Sequence, residues 1–475
     1  MSYPLQRRQF ALLSILFISL LWVPASISQT GGEVREIDLN AEAFSSDVID
    51  GERINRLRGG VTLKQDETRL WANEAIQYTR RDEILFSGRV MIVEAGDTLR
   101  ARTVRYFRQN KTGRARGNVR LSDGDVLVTA PIAFQFIDRK YTRFESGVRL
   151  VDSLTTLESE KGEYWSDEKR ALFTGGVILD EEGSTTRSDT VNFLRDESIA
   201  DASGNVSVQR IEITDGDSSV VWLFGAIAHN ESRNKYSTVE GDALLLQIDT
   251  DSVGADTTAL MADRLTSRET DTTETMTGSG SVSIWRNQLA AVADSISFRK
   301  VQLSPDESRE TVWLFGDPVL WFEDTQVRGD TIRVTMHNGE LDSLFVDGNA
   351  FLAQEDTLLG RVQQVAGPTI RGSLSGSSRE IRIGKGADAI YFLAEDGSGS
   401  GATKTNSNYV VMNFEGDSLR SITALENIEG TYYSEEIVPS TLQLPGFVWS
   451  PDMRPQRSLF ASDPRYLAIV AESNK

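Results

Sequence analysis

The chain has 475 residues, a formal net charge of −20 and no cysteine. Without cysteine it can form no disulfide, hold no metal through thiolates and carry no lipid on an N-terminal cysteine. The excess of acidic residues is unfavourable for binding the phosphate backbone of nucleic acids, so we expect no nucleic-acid partner.

The first 28 residues have the order of a secretory signal peptide. Arg7 and Arg8 precede an apolar run over residues 10–23, and small residues follow that run. The run is short for a transmembrane helix, which takes about 20 apolar residues. We therefore predict export through this signal with cleavage near Ser28; an uncleaved membrane anchor is the alternative.

A repeat of 29 residues organises the next part of the chain. A glycine stands two positions before each valine of its most regular column, except at Ser146. A fixed period of this size is typical of stacked units, each too small to bury its own apolar face. The valine column consists of Val61, Val90, Val119, Val148, Val177 and Val206.

Each repeat is expected to form two antiparallel β-strands. In the second repeat, apolar residues alternate with period two on both sides of a turn at residues 94–97. After Ala101 the apolar positions shift by one, to Val104 and Tyr106. Such a shift indicates a bulge or a corner, and the glycine column indicates positions too crowded for a large side chain. The sequence therefore predicts an all-β fold of stacked repeats.

The period loosens after Val206, but the unit persists. Further repeats are expected to start at Gly241, Gly280, Gly316 and Gly348, with polar insertions between them. We predict four segments: a signal peptide (1–28), a first part of the repeats (34–240), further repeats with polar loop insertions (241–435) and a C-terminal tail (436–475).

The charge is unevenly distributed. Residues 51–150 contain 20 Lys and Arg against 12 Asp and Glu, a net charge of +8 within a chain whose total is −20. This excess is either a solvated face or a basic end that contacts an anionic partner, such as a protein subunit or a lipid phosphate. The residues predicted for that contact are Arg100, Arg102, Arg105 and Arg108.

The sequence predicts no catalytic, metal or cofactor site. The two histidines, His229 and His337, are far apart and stand among polar residues, so we expect surface roles for both. The many carboxylates follow the repeated turns, and no pair is set apart as in a glycosidase. We therefore expect a protein that is not an enzyme.

The repeat resembles the OstA-like family, which includes the LptA-type periplasmic carrier and the periplasmic part of LptD-type proteins in lipopolysaccharide export. The resemblance is regular over residues 55–210 and patchier to about 435. Residues 241–246 and 348–352 resemble the long version found in Bacteroidetes-like bacteria. The motifs that carry the resemblance are Gly88-Arg-Val90, Ala101-Arg-Thr-Val-Arg-Tyr106 and Gly117-Asn-Val119.

This resemblance implies an elongated, twisted β-jellyroll whose apolar interior carries the acyl chains of lipid A towards the outer membrane. It implies a periplasmic protein, associated with the outer membrane, that contacts other Lpt-type jellyroll proteins at the inner and outer membranes. Open strand edges at the two ends of a stack also favour end-to-end self-association. The interior residues predicted to bind lipid are Val61, Leu70, Val90, Ile92, Leu99, Val104, Tyr106, Val119, Val128, Val148, Leu157, Val177, Val191, Phe193, Val206, Val282, Ile296 and Phe298.

Two other function classes remain open on the residues alone. An exported β-solenoid scaffold or surface-binding protein would fill the same interior with its own side chains and transport no lipid. A β-helical polysaccharide lyase or hydrolase would need carboxylates, arginines or metal ligands clustered on one face, and the repeats do not indicate such a cluster. The predicted function is therefore a lipopolysaccharide-transport bridge, with the scaffold as the alternative.

Overall fold

The computed structural model describes residues 38–473, except 66–67, 95, 123, 152, 154, 166, 182, 195, 215–216, 251–254, 288, 305–306, 376–377, 396–397 and 416–417. The predicted signal peptide lies outside these residues. The described chain is built from antiparallel β-strands with a few short helices, and the prediction of an all-β repeat fold is confirmed. No helix in the described part of the chain is both long enough and apolar enough to cross a membrane.

The strands are β1 (Asp38–Asn40), β2 (Ala43–Ile49), β3 (Glu52–Gln65), β4 (Thr68–Tyr78), β5 (Glu83–Glu94), β6 (Asp97–Phe107), β7 (Thr112–Ser122), β8 (Leu127–Phe136), β9 (Tyr141–Val151), β10 (Thr156–Trp165), β11 (Arg170–Glu181), β12 (Ser184–Leu194), β13 (Ile199–Thr214), β14 (Asp217–Glu231), β15 (Tyr236–Thr250), β16 (Ala255–Glu269), β17 (Thr273–Arg286), β18 (Leu289–Ser304), β19 (Glu307–Phe315), β20 (Val319–Phe322), β21 (Thr325–Arg328), β22 (Thr331–His337), β23 (Glu340–Asp356), β24 (Arg361–Ser373), β25 (Ser378–Glu395), β26 (Ser398–Glu415), β27 (Ser418–Leu425) and β28 (Glu429–Ser434). The α-helices are α1 (Ser458–Ala461) and α2 (Pro464–Ser473), and the 3-10 helices are Ile137–Arg139, Ser232–Asn234, Glu435–Ile437 and Pro451–Met453.

The chain forms two compact units. Unit 1 contains the described residues up to Arg210, together with residues 229–233. Each strand from β3 to β13 pairs antiparallel with the next strand along the chain. Each 29-residue repeat therefore contributes one hairpin to the unit.

A bulge at the glycine column gives every repeat its corner. Ser87 lies opposite Thr103 and Val90 lies opposite Ala101, so two residues of β5 face one residue of β6. The first of them, Gly88, has a φ of +80°, and a Cβ there would come within 2.6 Å of the Asn73 side chain. Both the predicted bulge and the predicted crowding are confirmed, although the extra residues lie on the strand before the shifted one.

One face of each strand in unit 1 is buried. On β6 the buried residues are the four predicted from the alternation and its shift, from Leu99 to Tyr106. Gln77 and Gln135, which hold the position of Tyr106 in the repeats before and after it, are also buried. The oxygen of each amide accepts a hydrogen bond, from Asn55 Nδ2 at 2.9 Å and from Thr142 Oγ1 at 3.1 Å. A polar group is thus tolerated inside because it has a partner there.

Unit 2 contains residues 211–228 and the described residues from Asn234 onward. Its strands also form successive antiparallel hairpins, with one interruption at Pro318. β19 ends at Phe315, before Gly316, Asp317 and Pro318, and the small hairpin β20–β21 pairs with β18 and β23 instead.

The strands of unit 2 bury apolar side chains on both faces. On β15, Ala243 belongs to the main core of the unit, whereas Leu244 and Leu246 point the other way and are fully buried against Phe460. The covering residues come from the end of the chain. We call residues 435–469 the C-terminal strap, because they pack across the outer face of successive strands.

The C-terminal strap crosses the strands in reverse order. Leu444 N donates to Gln364 Oε1 on β24 at 2.9 Å, and Gln326 Nε2 on β21 donates to the Val448 carbonyl at 2.7 Å. Further on, the Phe460 ring lies 5.2 Å from the Trp285 ring of β17. These buried amides satisfy strap backbone groups that have no strand partner, which fixes the path of the strap.

Candidate lipid-binding interior and charged surfaces

The predicted interior residues face inward in both units. All of them are buried except Phe193 and Phe298, which are half-buried. Val61 is 0% exposed and Val177 is 1% exposed, so the column is covered from its first repeat to its fifth. Val282, Ile296 and Phe298 belong to unit 2, and the others belong to unit 1. The predicted residues are thus divided between the two units.

A second inward column was missed by the sequence analysis. It stands four positions before the valine column, and it contains three buried phenylalanines. The signal was present as the same 29-residue period, but it was masked because the column contains both large and small residues. The members of this column are Leu57, Phe86, Ala115, Phe144, Phe173 and Ala202.

The interior of unit 1 is less covered towards its last strands. Leu121 and Val128 are 2% and 5% exposed, whereas Leu179 and Thr186, at the same positions two repeats later, are half-buried. Phe193 is half-buried at the position where Gln135 is buried. The last hairpins therefore leave part of the inward face accessible.

The buried charged residue of unit 1 lies at the rim of the interior, at the start of β3. Among the described residues, Glu52 is the buried residue that carries a charge. The Arg81 N–H donates to Glu52 Oε1 at 2.9 Å, and Arg81 Nε donates to Oε2 at 3.0 Å. The backbone hydrogen bond from Arg81, assisted by its guanidinium, lowers the pKa of Glu52. Deeper inside, burial raises the pKa of Tyr106, which is therefore uncharged at neutral pH.

The four arginines predicted for an anionic contact fall into two pairs. Arg105 and Arg108 are half-buried and form ion pairs within the unit, at 3.1 Å to Glu83 and 3.3 Å to Asp82. Arg100 and Arg102 are exposed. The structure therefore separates the four arginines into a paired and an exposed set, and their contact with an anionic partner stays a prediction.

The first strands form an apolar edge. β1 and β2 pair with β3, and within the described residues they pair with no other strand. Phe44 and Val48 on β2 are 61% and 69% exposed. A strand edge with exposed apolar side chains is a template for pairing with another chain.

His229 is less exposed than a simple surface histidine. Its ring is half-buried, with Nδ1 2.6 Å from Asp201 Oδ1 and Nε2 3.2 Å from Glu231 Oε1. The hydrogen bond to Asp201, followed by that to Glu231, raises the pKa of His229. His337 is exposed and lies 3.9 Å from Glu307. Across the described residues, no three His, Asp or Glu side chains lie close enough together to bind a metal ion.

Comparison with known proteins gives one family match. A family model described as OstA-like protein matches residues 37–189. A search of curated proteins found no match. Among solved structures, the chain is similar to LptH from Pseudomonas aeruginosa, described as the LptA homologous periplasmic component of the conserved lipopolysaccharide transport device. That similarity has 14% identity over 29% of this chain and 82% of LptH, with a TM-score of 0.15, and it is too low to support an argument.

Proposed function

Residues 37–189 belong to the OstA-like family, and from this premise we propose that the chain is a periplasmic bridge protein for lipopolysaccharide. It holds lipid A acyl chains in its β-jellyroll interior and passes them towards the outer membrane. The role requires no catalytic group and no cofactor, because a carrier needs only a water-excluding surface.

The observation that carries the proposal is the inward face of unit 1. It is lined by apolar columns that repeat every 29 residues, and its charged residue, Glu52, lies at the rim in a pair with Arg81. An apolar surface without charge is the environment that acyl chains prefer to water. A charged group inside would have to be desolvated each time a lipid chain passed it.

The half-buried end is where lipid contact is expected first. Leu179, Thr186 and Phe193 retain accessible surface, while the equivalent residues of earlier repeats are covered. Acyl chains placed there would cover the remaining apolar surface at about 25 cal/mol per Å². We therefore propose β11, β12 and β13 as the lipid entry or exit of unit 1.

The edge strand β2 is proposed as the contact with another jellyroll module. A strand of the partner would pair with β2, and Phe44 and Val48 would become buried. Such pairing would align the interior of one module with that of the next. The partners would be Lpt-type proteins at the two membranes, or a second copy of this chain.

Site-specific photocrosslinking tests the proposal. A photoreactive phenylalanine analogue replaces Phe193, and the matched control places it at Asn192, the outward neighbour on β12. A second pair uses Val104 and Arg105 on β6. With purified lipopolysaccharide, crosslinks are expected at Phe193 and Val104 and not at their neighbours. With the analogue at Phe44, we expect a protein crosslink and no lipid.

The scaffold remains the second candidate, and one observation favours it. Val61, Leu70 and Ala115 are at most 1% exposed, as they would be in an interior filled by its own side chains. If the folded variants give no lipid crosslink, or equal labelling at Phe193 and Asn192, the carrier proposal is wrong and the scaffold is supported. Thermal unfolding of each variant shows whether the protein is folded.

A further inference from the structure

Exposed arginines crowd around the bulges of β5, β6 and β7. Arg100 and Arg120 lie directly opposite each other across β6 and β7, where like charges are destabilising. We call these exposed residues the basic ridge; they are Arg89, Arg100, Arg102, Arg116 and Arg120. Within the described residues, no side chain of the basic ridge forms an ion pair or a hydrogen bond.

Some basic residues of unit 1 are neutralised in a regular way at hairpin turns. Lys111 pairs with Asp138 at 2.8 Å and Lys140 pairs with Asp167 at 2.7 Å. The same pair recurs one repeat later at Lys169. The basic ridge has no such pairing; within the described residues the same is true of Lys64 and Arg69, which lie opposite each other on β3 and β4 and serve as the control below.

Arg102 occupies a structural position that is acidic in other repeats. It lies over Gly117, with its Cβ 2.8 Å from where a Cβ on that glycine would stand. Asp263 and Asp294 hold the same position over Gly280 and Gly316.

The acid at this position has a local role in some repeats. Asp189 accepts a hydrogen bond from Asn205 Nδ2 at 2.9 Å, and Asp330 accepts one from Asn349 Nδ2 at 3.0 Å. An arginine side chain has no acceptor. The bulge therefore does not require Arg102.

Unit 2 carries the opposite charge at the positions of Arg89 and Arg102. Arg89 is the second bulge residue of its repeat, with a φ of +53°, and Asp242 and Asp317 hold that position with φ of +50° and +49°. We call five aspartates of unit 2 the acidic ridge: Asp242, Asp263, Asp294, Asp317 and Asp330. All five carboxylates are exposed, and none forms an ion pair within the described residues.

We propose that the basic ridge of one copy binds the acidic ridge of a second copy. Arg89 and Arg102 lie on the paired strands β5 and β6, and Asp242 and Asp263 hold the equivalent positions on the paired strands β15 and β16. Because paired strands are about 4.8 Å apart, opposite charges can align over these two strands. The overall charge of −20 opposes self-association, but at physiological ionic strength charges more than about 8 Å apart are largely screened. The contact is consequently weak, salt-sensitive and independent of what occupies the interior.

Sedimentation equilibrium of the full chain at low and high salt tests this proposal. The basic-ridge variant is Arg89→Asp with Arg102→Asp, and the acidic-ridge variant is Asp263→Arg with Asp294→Arg. Each new residue already occurs at the same structural position in another repeat, so folding is expected to be unchanged. The control, Lys64→Glu with Arg69→Glu, makes the same charge change as the basic-ridge variant, but on exposed residues outside the basic ridge.

At low salt the wild-type chain is expected to self-associate. Each ridge variant should weaken that association by about tenfold or more, and the control should not. An equimolar mixture of the two ridge variants should restore a complex, because the exchanged charges are again complementary. A wild-type monomer at every salt concentration, or a mixture that stays monomeric, would overturn the proposal. Binding to anionic phospholipid vesicles that the basic-ridge variant alone abolishes, without self-association, would identify a membrane partner instead.

Discussion

Replacing Phe460 by alanine tests whether the C-terminal strap stabilises unit 2. Phe460 is 0% exposed, and its ring lies 5.2 Å from the Trp285 ring and 5.3 Å from that of Tyr466. Truncating a buried phenylalanine costs about 3–5 kcal/mol, since apolar contacts are lost and a cavity remains. At the lower bound, the melting temperature of a domain of about 150–250 residues would fall by about 6–12 °C.

The size of the effect depends on how the strap responds. If the strap stays in place, the full cost of the cavity is expected. If residues 454–469 detach, the cost is limited to their own docking free energy, and Leu244 and Leu246 become exposed. Hydrogen exchange shows whether detachment extends to the whole strap, because only then do the Leu444 and Ser450 amides, which donate to Gln364 and Gln326, lose protection.

The control is Leu459→Ala. Leu459 precedes Phe460 on α1 and is 41% exposed, so its truncation is expected to cost less than about 1 kcal/mol. Calorimetry or circular dichroism measures both variants. A melting temperature that falls equally in the two variants would refute the conclusion that Phe460 anchors the strap on β15 and β17.

Two further predictions concern unit 1. Gly175→Ala should be more destabilising than Gly176→Ala by about 1 kcal/mol or more. A Cβ at Gly175 would come within 2.6 Å of Glu160, whereas a Cβ at Gly176 would have no atom within 4 Å. Urea unfolding measures the difference in free energy, and equal costs for the two variants would contradict the prediction. His229 has a pKa raised above its ordinary value of 6.5 by Asp201 and Glu231. Its contribution to stability should therefore be fully present below about pH 6.5 and should disappear as pH rises through the folded-state pKa. His229→Gln should flatten that part of the stability profile, and an unchanged profile would argue against the assignment.

The fold of unit 1 could be predicted because its repeats impose one constraint many times. The 29-residue spacing of Val61 and its equivalents determines the hairpins, and the shift after Ala101 predicts the bulge. The burial of the columns that we propose to bind lipid followed from the same alternation. The column that contains Phe86 was missed because its members differ in size, so a search for one residue type did not find it.

The pairing of the arginines could not be predicted in the same way. Arg100, Arg102, Arg105 and Arg108 lie on one strand or at its end, and the sequence does not separate them. Their difference arises from neighbouring strands, which place Glu83 beside Arg105 and an arginine opposite Arg100. Contacts between strands depend on register, and register here depends on the bulges.

The strap also had a signal that periodicity alone could not interpret. Residues 243–246 form a continuous apolar run, whereas Val119 and Leu121 alternate with Arg120 and Ser122. A continuous run indicates burial on both faces. The covering segment lies about 200 residues further along the chain and has no repeat, so nothing in the run identifies it.

The C-terminal strap is synthesised after the strands that it covers. Trp285 completes the outer apolar patch that Phe460 covers, and Phe460 lies 175 positions further along the chain. At about 5–20 residues per second, the patch therefore exists for about 9–35 s before its cover has been made. An exposed apolar patch is a binding site for chaperones and a site of aggregation. A chain that ends before residue 435 lacks this cover, and its outer apolar patch stays exposed.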